Sequence, residues 1–374
     1  MSKRPLVFVD MLSYTGTKGG METYTRELYR SLGALDSGLD FVALASKEGA
    51  RLDLSWFPGE VISSRISGEN RFVWAFGELV ASSAIARRRK ADLVHAPATL
   101  GPMWTSMPTV ITIHDMLYWS HPELMTTPLY TRPVMWMEKR GAANAAHVIT
   151  VSDVSADEIV KYLGFPRERL HVVPEAAEHP AAPPTTDRQT DNMVLASGQR
   201  RPHKNWDGLI RALALVEEDV RPRLVITGAR GEDPLAPVVA ETGMAEWVDL
   251  RGWVDDAELA DLRSRARAMA FPTLAEGFGL PVLEAMASGV PVIAARATGS
   301  TSLVNEGQTG RLVEPGNVAA FANAIAAYAA DPALRAAHGA AGEERSRAYS
   351  WDAINRTVAD VYLRLVEARL SRSA

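Results

Sequence analysis

Short runs rich in apolar and β-branched residues alternate with helical patterns along the chain, which is typical of a parallel sheet with crossover helices. The first half predicts strands at residues 5–10, 40–45, 92–97, 109–115 and 147–153, followed by a last strand and exit loop at residues 171–178. The pattern then restarts, with strands predicted at residues 192–198, 223–228, 247–252, 268–273, 290–295 and 310–315. Between the two sets, residues 179–191 carry prolines and no apolar period, which indicates a linker. The sequence therefore predicts an α/β protein with two Rossmann-like domains, at residues 1–178 and 192–350.

Three helices have recognisable ends or faces. The segment from Ser155 to Glu158 resembles a capping box that opens a helix, and Gly164 is expected to stop it. Another short helix is predicted from Pro281 to Ser288, with Gly289 just past its end. A last helix, at residues 351–374, must pack on another surface because it carries one apolar stripe. The stripe consists of Ile354, Val358, Val361, Tyr362, Leu365 and Val366.

The composition narrows the class of protein. A chain of 374 residues exceeds the size at which one core keeps growing, which also favours two domains. The net charge of -5 argues against a general nucleic-acid binder. The chain has no cysteine, which removes disulfides and thiolate nucleophiles and suits a reducing compartment. No stretch reaches the roughly 18 to 20 apolar residues of a membrane span, so we expect a cytoplasmic protein, either free or peripheral on the inner membrane face.

The segment AEGFGLPVLEAMASGVPVIAA, residues 275–295, predicts a tight turn, a short helix and a strand. In open α/β folds, the N-terminus of such a helix lies at the carboxyl edge of the sheet, where anionic ligands bind. Glu276 is expected in that crevice. Glu284 is expected in the first turn of the helix, where it could also do no more than compensate the helix dipole.

Cations are predicted beside the same crevice. Arg200, Arg201 and Lys204 lie in a glycine turn that leads from a strand into a helix, where they could bind phosphate oxygens or simply form a solvated helix start. In the first half, residues 16–22 (GTKGGME) join the first strand to the first helix. This segment matches neither the G-x-G-x-x-G motif nor a P-loop, which argues against a dinucleotide-dependent oxidoreductase and against an NTPase.

His114 and Asp115 end a predicted strand, so both are candidates for the cleft, although a lone histidine is as often structural. The histidines at 95, 121, 147, 171 and 179 show no metal-ligand spacing. No metal site is expected.

Five segments in this order carry a family resemblance: GGMETYTRELYRSL, TIHDMLYWSHPEL, VITVSDVSADEIVKYLGFPRERLHVVPEAAE, GQRRPHKNWDGLIRAL and AEGFGLPVLEAMASGVPVIAA. Together they resemble the retaining glycosyltransferases of family 4, and the closing SWDAINRTVADVYLRL resembles that family's C-terminal helix. The resemblance implies the GT-B fold, with two parallel sheets facing a cleft and the last helix crossing back to the first domain. It also implies a donor in which the sugar is linked to UDP, GDP or TDP, with no cofactor. Because preorganised cations and helix dipoles stabilise the charge on the leaving diphosphate, no metal is expected to be required.

The resemblance assigns roles to individual residues. Glu284 would hold the ribose hydroxyls and Glu276 the hydroxyls of the donor hexose. Lys204, with Arg200 or Arg201, would neutralise the diphosphate, and His114 would lie beside the transferring sugar. The resemblance places the backbone of Gly277, Phe278, Gly279 and Leu280 near the sugar and phosphate. Gly19 and Gly20 would approach the diphosphate from the first domain. The acceptor side would include Asp115, Tyr118 and Trp119.

Two segments depart from the family pattern. Residues 299–304 (GSTSLV) lack the family's glutamate, so no site role is assigned there. The family's common Pro-Asn-Gly-Val is replaced by Pro174-Glu175-Ala176-Ala177, which leaves the local turn open.

The predicted activity is the retaining transfer of a hexose to a hydroxyl of a glycan, a lipid-linked acceptor or a small molecule. A sugar-nucleotide epimerase, a phosphorylase and a non-catalytic nucleotide-sugar binder remain the alternatives, since fold does not fix function. Residues 103–137 are rich in methionine and aromatic residues, which form either an ordinary core or, with Arg87–Lys90, a contact with an anionic membrane. The set is Met103, Trp104, Met116, Tyr118, Trp119, Met125, Tyr130, Met135, Trp136 and Met137.

Overall fold

The computed structural model describes residues 4–125, 128–177, 179, 190–296 and 299–373. The chain divides into two compact units, one made of Met1–Glu175 with Trp351–Ala374 and the other of Ala176–Ser350. Of the predicted linker, only residues 179, 190 and 191 fall within the described residues. In sequence, the second unit is therefore inserted between two segments of the first.

The first unit contains a seven-stranded parallel sheet, in the order β3-β2-β1-β4-β5-β6-β7. The strand order reverses between β1 and β4, which is the switch point where ligands bind in sheets of this type. Six strands confirm the predicted pattern, and the short edge strand β3 was not predicted. The strands are β1 Leu6–Met11, β2 Asp40–Ala45, β3 Glu60–Ser63, β4 Leu93–Ala96, β5 Thr109–Ile113, β6 His147–Thr150 and β7 Leu170–Val172.

Helices cover both faces of this sheet. Most follow the strands as crossover connections: α1 Gly20–Ala34, α2 Arg71–Phe76, α3 Ser82–Arg88, α4 Leu117–Ser120, α5 Pro128–Asn144 and α6 Asp153–Leu163. A π-helical segment, Gly77–Ala81, joins α2 to α3.

The start of α6 corrects a sequence expectation. Its N-cap is Ser152, whose hydroxyl accepts from Ser155 N at 3.1 Å, so the helix begins before the predicted capping box at Ser155. Ser152 is extended, with φ -153°, which lets its side chain turn back onto the first turn. The predicted end at Gly164 is confirmed, because this glycine adopts a left-handed φ of 68°.

The second unit contains a six-stranded parallel sheet, in the order β10-β9-β8-β11-β12-β13. All six strands were predicted. They are β8 Met193–Ser197, β9 Arg223–Ala229, β10 Val248–Gly252, β11 Ala268–Phe271, β12 Val292–Ala295 and β13 Gly310–Val313. The helices are α7 Trp206–Ala214, α8 Ala236–Glu241, α9 Asp256–Arg265, α10 Leu280–Ala287, α11 Ser300–Leu303, α12 Val318–Ala330 and α13 Pro332–Ser346.

Alternating strand residues separate the two faces of this second sheet. Val194 and Ala196 pack in the core beside α7 and α12, whereas Leu195 faces the opposite side and packs against Leu262 of α9. This period of two is expected for a strand that is buried on both faces.

The last helix, α14 Trp351–Ser373, packs on α1 and β4 of the first unit. Its predicted apolar stripe is buried, except that Leu365 is half-buried. Tyr362 Oη and Tyr29 Oη both contact His95 Nδ1, at 2.8 and 2.5 Å, and His95 Nε2 contacts Thr112 Oγ1 at 2.9 Å. Burial lowers the pKa of His95 to about 3, so the ring is neutral and links α14 to β5 through hydrogen bonds. None of the described helices has the length and apolarity to cross a membrane.

Candidate functional site

The loops that follow β8 and β11 lie side by side, because these strands are paired and parallel. Leu274 N donates to His203 O at 2.7 Å, and Thr273 Oγ1 donates to the same carbonyl at 3.1 Å. Asn205 Nδ2 donates to Pro272 O at 3.3 Å. These bonds fix the two loops against each other at the carboxyl edge of the sheet, where a ligand is expected.

An ion pair between Lys204 and Glu276 joins the two loops. Lys204 Nζ donates to Glu276 Oε2, and the side chains are 15 and 21% exposed. The ammonium also lies 5.1 Å from the ring centre of Phe271. Both charges are partly removed from water, so each interacts strongly with any charged or hydroxylated ligand that enters.

The turn after Glu276 leads into α10. Gly279 is the N-cap, with a φ of 100° that residues with a Cβ rarely adopt, and proline follows Leu280 at the start of the helix. Gly289, with φ 65°, follows the helix as predicted. Phe278 is buried, with its ring 6.0 Å from that of Tyr349, so its side chain belongs to the core and only its backbone is a candidate for ligand contact.

Gly299 supports this turn from the other side. Gly299 N donates to Glu276 O at 3.0 Å, and a Cβ added at Gly299 would lie 2.3 to 2.4 Å from the backbone of Phe278. Only glycine permits so close an approach. No site role was predicted for residues 299–304, because this chain lacks the family's glutamate there. The structure shows that Gly299 of this segment nevertheless shapes the loop that carries Glu276.

Glu284 lies in α10 as predicted, but beyond the first turn of the helix, because α10 begins at Leu280. Arg263 of α9 donates from Nη1 to Glu284 Oε2 at 2.5 Å. Compensation of the helix dipole therefore does not explain this carboxylate, because the dipole effect falls off within the first turn. Arg263 neutralises Glu284 in a partly buried position. This arginine was not predicted as a site residue, because no motif or spacing in the sequence links residue 263 to residue 284.

Arg200 and Arg201, which the sequence could not separate, have different surroundings. The Arg200 guanidinium is bound to the Asp233 carboxylate at 2.8 to 3.1 Å and to the carbonyls of Ile226 and Thr227. Its side chain is only 6% exposed. Arg201 is exposed. These contacts give Arg200 a structural role in joining the ends of β8 and β9, which leaves Lys204 and Arg201 as the accessible cations.

The glycine-rich loop of the first unit follows β1 and is organised by Glu22. The Glu22 carboxylate accepts from the backbone N–H groups of Thr15, Gly16 and Lys18 at 2.5, 3.0 and 3.1 Å. Gly19 adopts a left-handed φ of 67° as the N-cap of α1. Among the described residues, no atom lies within 4 Å of a Cβ added at Gly20, so neither packing against them nor a positive φ requires a glycine there. This role of Glu22 was not predicted, since the residue was noted only as the last position of the segment GTKGGME.

His114 is buried at the end of β5 and contacts two acceptors. Its Nε2 lies 2.9 Å from Pro97 O, and its Nδ1 lies 3.4 Å from Glu175 Oε1. The Tyr24 ring packs edge-on at 4.9 Å. Burial alone would lower the pKa of His114, but Glu175, Pro97 O and Asp115 together raise it above its ordinary value. The segment that departs from the family pattern thus supplies the partner of this histidine.

The three residues expected on the acceptor side are partly committed to local structure. Asp115 Oδ1 accepts from Leu117 N at 3.1 Å. The indole of Trp119 donates to Glu138 Oε2 at 2.7 Å and packs on the core beneath α5 and α6. Burial raises the pKa of Glu138 to about 8. Tyr118 is half-buried in α4. The acceptor role of these residues stays a prediction.

Two family models match the chain: Glycosyl transferases group 1 over residues 181–345, and Glycosyltransferase Family 4 over residues 18–178. The chain belongs to the group 1 glycosyltransferases of the family 4 type. The first match ends at residue 178 and the second begins at residue 181, close to the division between the two units of this glycosyltransferase after Glu175.

Relatives and solved structures agree with this assignment. O-antigen chain mannosyltransferase B of Escherichia coli is 31% identical to this glycosyltransferase over 260 residues, which cover 65% of this chain and 67% of that protein. Sucrose-phosphate synthase from Thermosynechococcus elongatus superposes with a TM-score of 0.80 at 21% identity, covering 98% of this chain and 100% of that one. HepE from Anabaena, solved with UDP and glucose, gives a TM-score of 0.75 at 20% identity over 96 and 99% of the two chains. Together with the two parallel sheets, these likenesses establish the GT-B fold.

Proposed function

We propose that this glycosyltransferase moves a hexose from a nucleoside-diphosphate sugar to a hydroxyl of an acceptor, with retention of the anomeric configuration and without a metal ion. The observation that carries the proposal is the Lys204–Glu276 ion pair beside the start of α10. It combines a cation for phosphate, a carboxylate for sugar hydroxyls and a helix N-terminus at one sheet edge.

Lys204 is proposed to bind the diphosphate. Its present partner, Glu276, is a carboxylate, and a phosphate oxygen is an equally suitable anionic acceptor for the ammonium. Arg201 is exposed on the same loop and adds a second cation. As the bond from the anomeric carbon to the phosphate breaks, negative charge grows on the leaving diphosphate, and preorganised cations stabilise it.

Glu276 is proposed to exchange Lys204 for sugar hydroxyls when the donor binds, because a carboxylate accepts hydrogen bonds from O–H groups. Glu284 is proposed to hold the ribose, with Arg263 fixing the orientation of the carboxylate. The complex of HepE with UDP and glucose supports this class of donor.

The residues of the first unit have roles in the same proposal. The described residues leave the space beside Gly20, at the N-terminus of α1, open, which suits a phosphate group that approaches the backbone. His114, held by Glu175 and Pro97 O, is proposed to lie beside the transferring sugar. Glycans, lipid-linked sugars and small molecules all remain acceptor classes of the proposal, with Asp115, Tyr118 and Trp119 on that side.

The proposal is tested by screening UDP-, GDP- and TDP-sugars for transfer and for donor hydrolysis, with excess EDTA in parallel. The anomeric configuration of the product is read by NMR from the one-bond carbon–proton coupling constant at its anomeric carbon. We expect transfer that persists in EDTA and retains the donor configuration. Activity that disappears in EDTA and returns with magnesium or manganese contradicts metal independence, and an inverted product contradicts the retaining mechanism.

The alternative functions give different results in the same assays. An epimerase converts the free nucleotide sugar into a stereoisomer, and a phosphorylase requires inorganic phosphate. A non-catalytic binder shows donor binding by calorimetry with neither transfer nor hydrolysis.

A further inference from the structure

One continuous helical segment of the first unit is firmly anchored on its inner face. It comprises α2, the π-helical segment Gly77–Ala81 and α3, which follow one another without a break. The inner residues Glu78, Leu79 and Ala86 are buried, and Trp74 Nε1 donates to Glu78 Oε1 at 2.7 Å. Ala86 packs in the core beneath β1, β2 and β4. The anchoring determines which side chains of the segment face outwards.

The outward face is apolar. Phe72 and Phe76 are 85 and 64% exposed, and the spacing of four residues from Phe72 to Phe76 to Val80 keeps them on one side of the helix. Trp104, which is 62% exposed, lies close to this segment along the backbone, because its neighbour Met103 donates from N to Leu79 O at 3.0 Å. We define the apolar face as Phe72, Val73, Phe76, Val80 and Trp104.

The same segment ends in a cluster of cations. Arg87, Arg88, Arg89 and Lys90 are all exposed. Arg89 pairs with Glu60, whereas no acidic side chain within the described part of the chain pairs with Arg87, Arg88 or Lys90. Arg87 follows Val80 by seven residues, about two turns, so it extends from the side that carries the apolar face. The cations form a positive end on a chain whose net charge is -5.

We infer that the apolar face and the cations Arg87, Arg88 and Lys90 form a docking surface for an anionic lipid bilayer, with the helical segment lying in the plane of the interface. Exposed aromatic side chains enter the boundary between headgroups and acyl chains, and arginine and lysine attract anionic headgroups. From Phe72 to Arg87 the segment extends about 22 Å, which separates the aromatic end of the surface from its cationic end.

A second copy of this chain is a weaker occupant for the same surface. In a two-fold symmetric dimer the same patch meets itself, so the second copy offers apolar and cationic side chains but no acidic side chain to pair with Arg87, Arg88 and Lys90. An anionic bilayer complements the apolar and the cationic parts at once, so the charges favour lipid.

The surface differs from the one expected from the sequence. The cations at residues 87–90 were expected to act with the methionine-rich region at 103–137. Met103 and Met116 of that region are buried in the core, whereas Trp104 is exposed beside the apolar face. Phe72 and Phe76 were not anticipated.

The experiment is cosedimentation of the full chain with vesicles of phosphatidylcholine alone and of phosphatidylcholine mixed with phosphatidylglycerol. We expect binding to the anionic vesicles that weakens as salt is added. Arg87→Gln with Arg88→Gln lowers the partition coefficient about 25-fold, since each cation near the surface contributes about fivefold. Phe72→Ser with Phe76→Ser lowers it by roughly tenfold or more for each ring withdrawn from the lipid.

Matched variants test whether the effect is specific to this surface. Arg356→Gln with Arg364→Gln removes the same charge from exposed positions of α14, which packs on the opposite face of the sheet, and is expected to change binding little. Brominated phosphatidylglycerol should quench tryptophan fluorescence less in Trp104→Phe than in the wild type. Trp253→Phe, which removes an exposed indole of the second unit, should leave the lipid-dependent quenching nearly unchanged.

The inference is overturned if the protein fails to sediment with anionic vesicles at low salt. It is equally overturned if the α14 control variant loses as much binding as the Arg87 and Arg88 variant, or if the protein forms a dimer in solution that Phe72→Ser with Phe76→Ser dissociates. None of these readouts depends on donor binding or turnover, so the result is independent of the proposed function.

Discussion

The pKa of His114 depends on the charge of its partner Glu175, and one substitution tests this dependence. Both ring nitrogens of His114 face acceptors, Pro97 O at 2.9 Å and Glu175 Oε1 at 3.4 Å, which is the arrangement that an imidazolium satisfies. Asp115 adds a further negative charge, and the nearby His95 is neutral. The pKa of His114 is raised although burial opposes the charged form, so Glu175 is the main group that favours the protonated ring.

The perturbation is Glu175→Gln, which removes the charge and preserves the size of the side chain. A hydrogen bond to a charged group contributes about 1.5 to 3 kcal/mol. The separation of 3.4 Å favours the lower end of that range, and about 1.4 kcal/mol corresponds to one pH unit. We therefore expect the pKa of His114 to fall by about one pH unit in the variant.

The assay is an NMR titration of protein labelled with ¹⁵N in histidine, in which the His114 resonances are assigned by comparison with His114→Gln. Glu168→Gln, an exposed position of the same unit, serves as the control and should not change the titration. An unchanged or higher midpoint in Glu175→Gln would refute the assignment of Glu175 as the group that holds the proton.

The same pair has a consequence for stability. The pKa of His114 is raised in the folded state, so the stabilisation from its protonated form is fully present below the unfolded value of about 6.5. It is lost as the pH rises through the folded pKa. The free energy of unfolding should therefore differ most between wild type and Glu175→Gln in mild acid, and the difference should shrink at alkaline pH. Urea unfolding at several pH values measures this, and a difference that grows with pH would contradict it.

Three further predictions concern the site. Glu284→Ala should weaken binding of the free nucleoside diphosphate by roughly tenfold to more than a hundredfold. Glu276→Ala should leave that affinity nearly unchanged and lower kcat. Equal losses of affinity in calorimetry would contradict this division of roles between ribose and sugar. Gly20→Ala should unfold at the wild-type temperature, because no described atom lies within 4 Å of the added Cβ, yet lose transfer, because that Cβ takes the space proposed for the phosphate. Gly33→Ala, whose Cβ would lie 2.6 Å from Pro58 Cβ, should lower the unfolding temperature. Glu22→Gln should cost about 1 to 3 kcal/mol of stability, because one amide cannot accept from three backbone N–H groups as a carboxylate does, and denaturant unfolding that shows no loss would refute it.

The sheets were largely predictable because strands buried on both faces leave continuous apolar runs in the sequence. The edge strand β3 was not, since its four residues are exposed or half-buried and carry no such run. The end of α6 was predictable from Gly164, whereas its start was not, because Ser152 and Ser155 are both plausible caps and only the backbone decides between them.

The site was predictable as far as local motifs reach. The positions of Lys204, Glu276 and Glu284 on the loops and helix at the carboxyl edge follow from strand–turn–helix patterns in the sequence. Their partners do not, because the contacts of Arg263 with Glu284 and of Glu175 with His114 join residues distant along the chain. The exclusion of Arg200 from the accessible cations likewise depends on Asp233, which belongs to the loop after a neighbouring strand.

The return of α14 to the first unit determines the order in which this protein can be completed on the ribosome. Tyr29 of α1 and His95 of β4 belong to the surface that α14 covers, yet residues 176–350 are translated before α14 exists. At about 5 to 20 residues per second, the first unit waits roughly 10 to 35 s with that face uncovered. A nascent chain that stalls in this interval would therefore expose apolar surface from its first unit while its second unit folds, which makes it a client for chaperones that bind such surfaces.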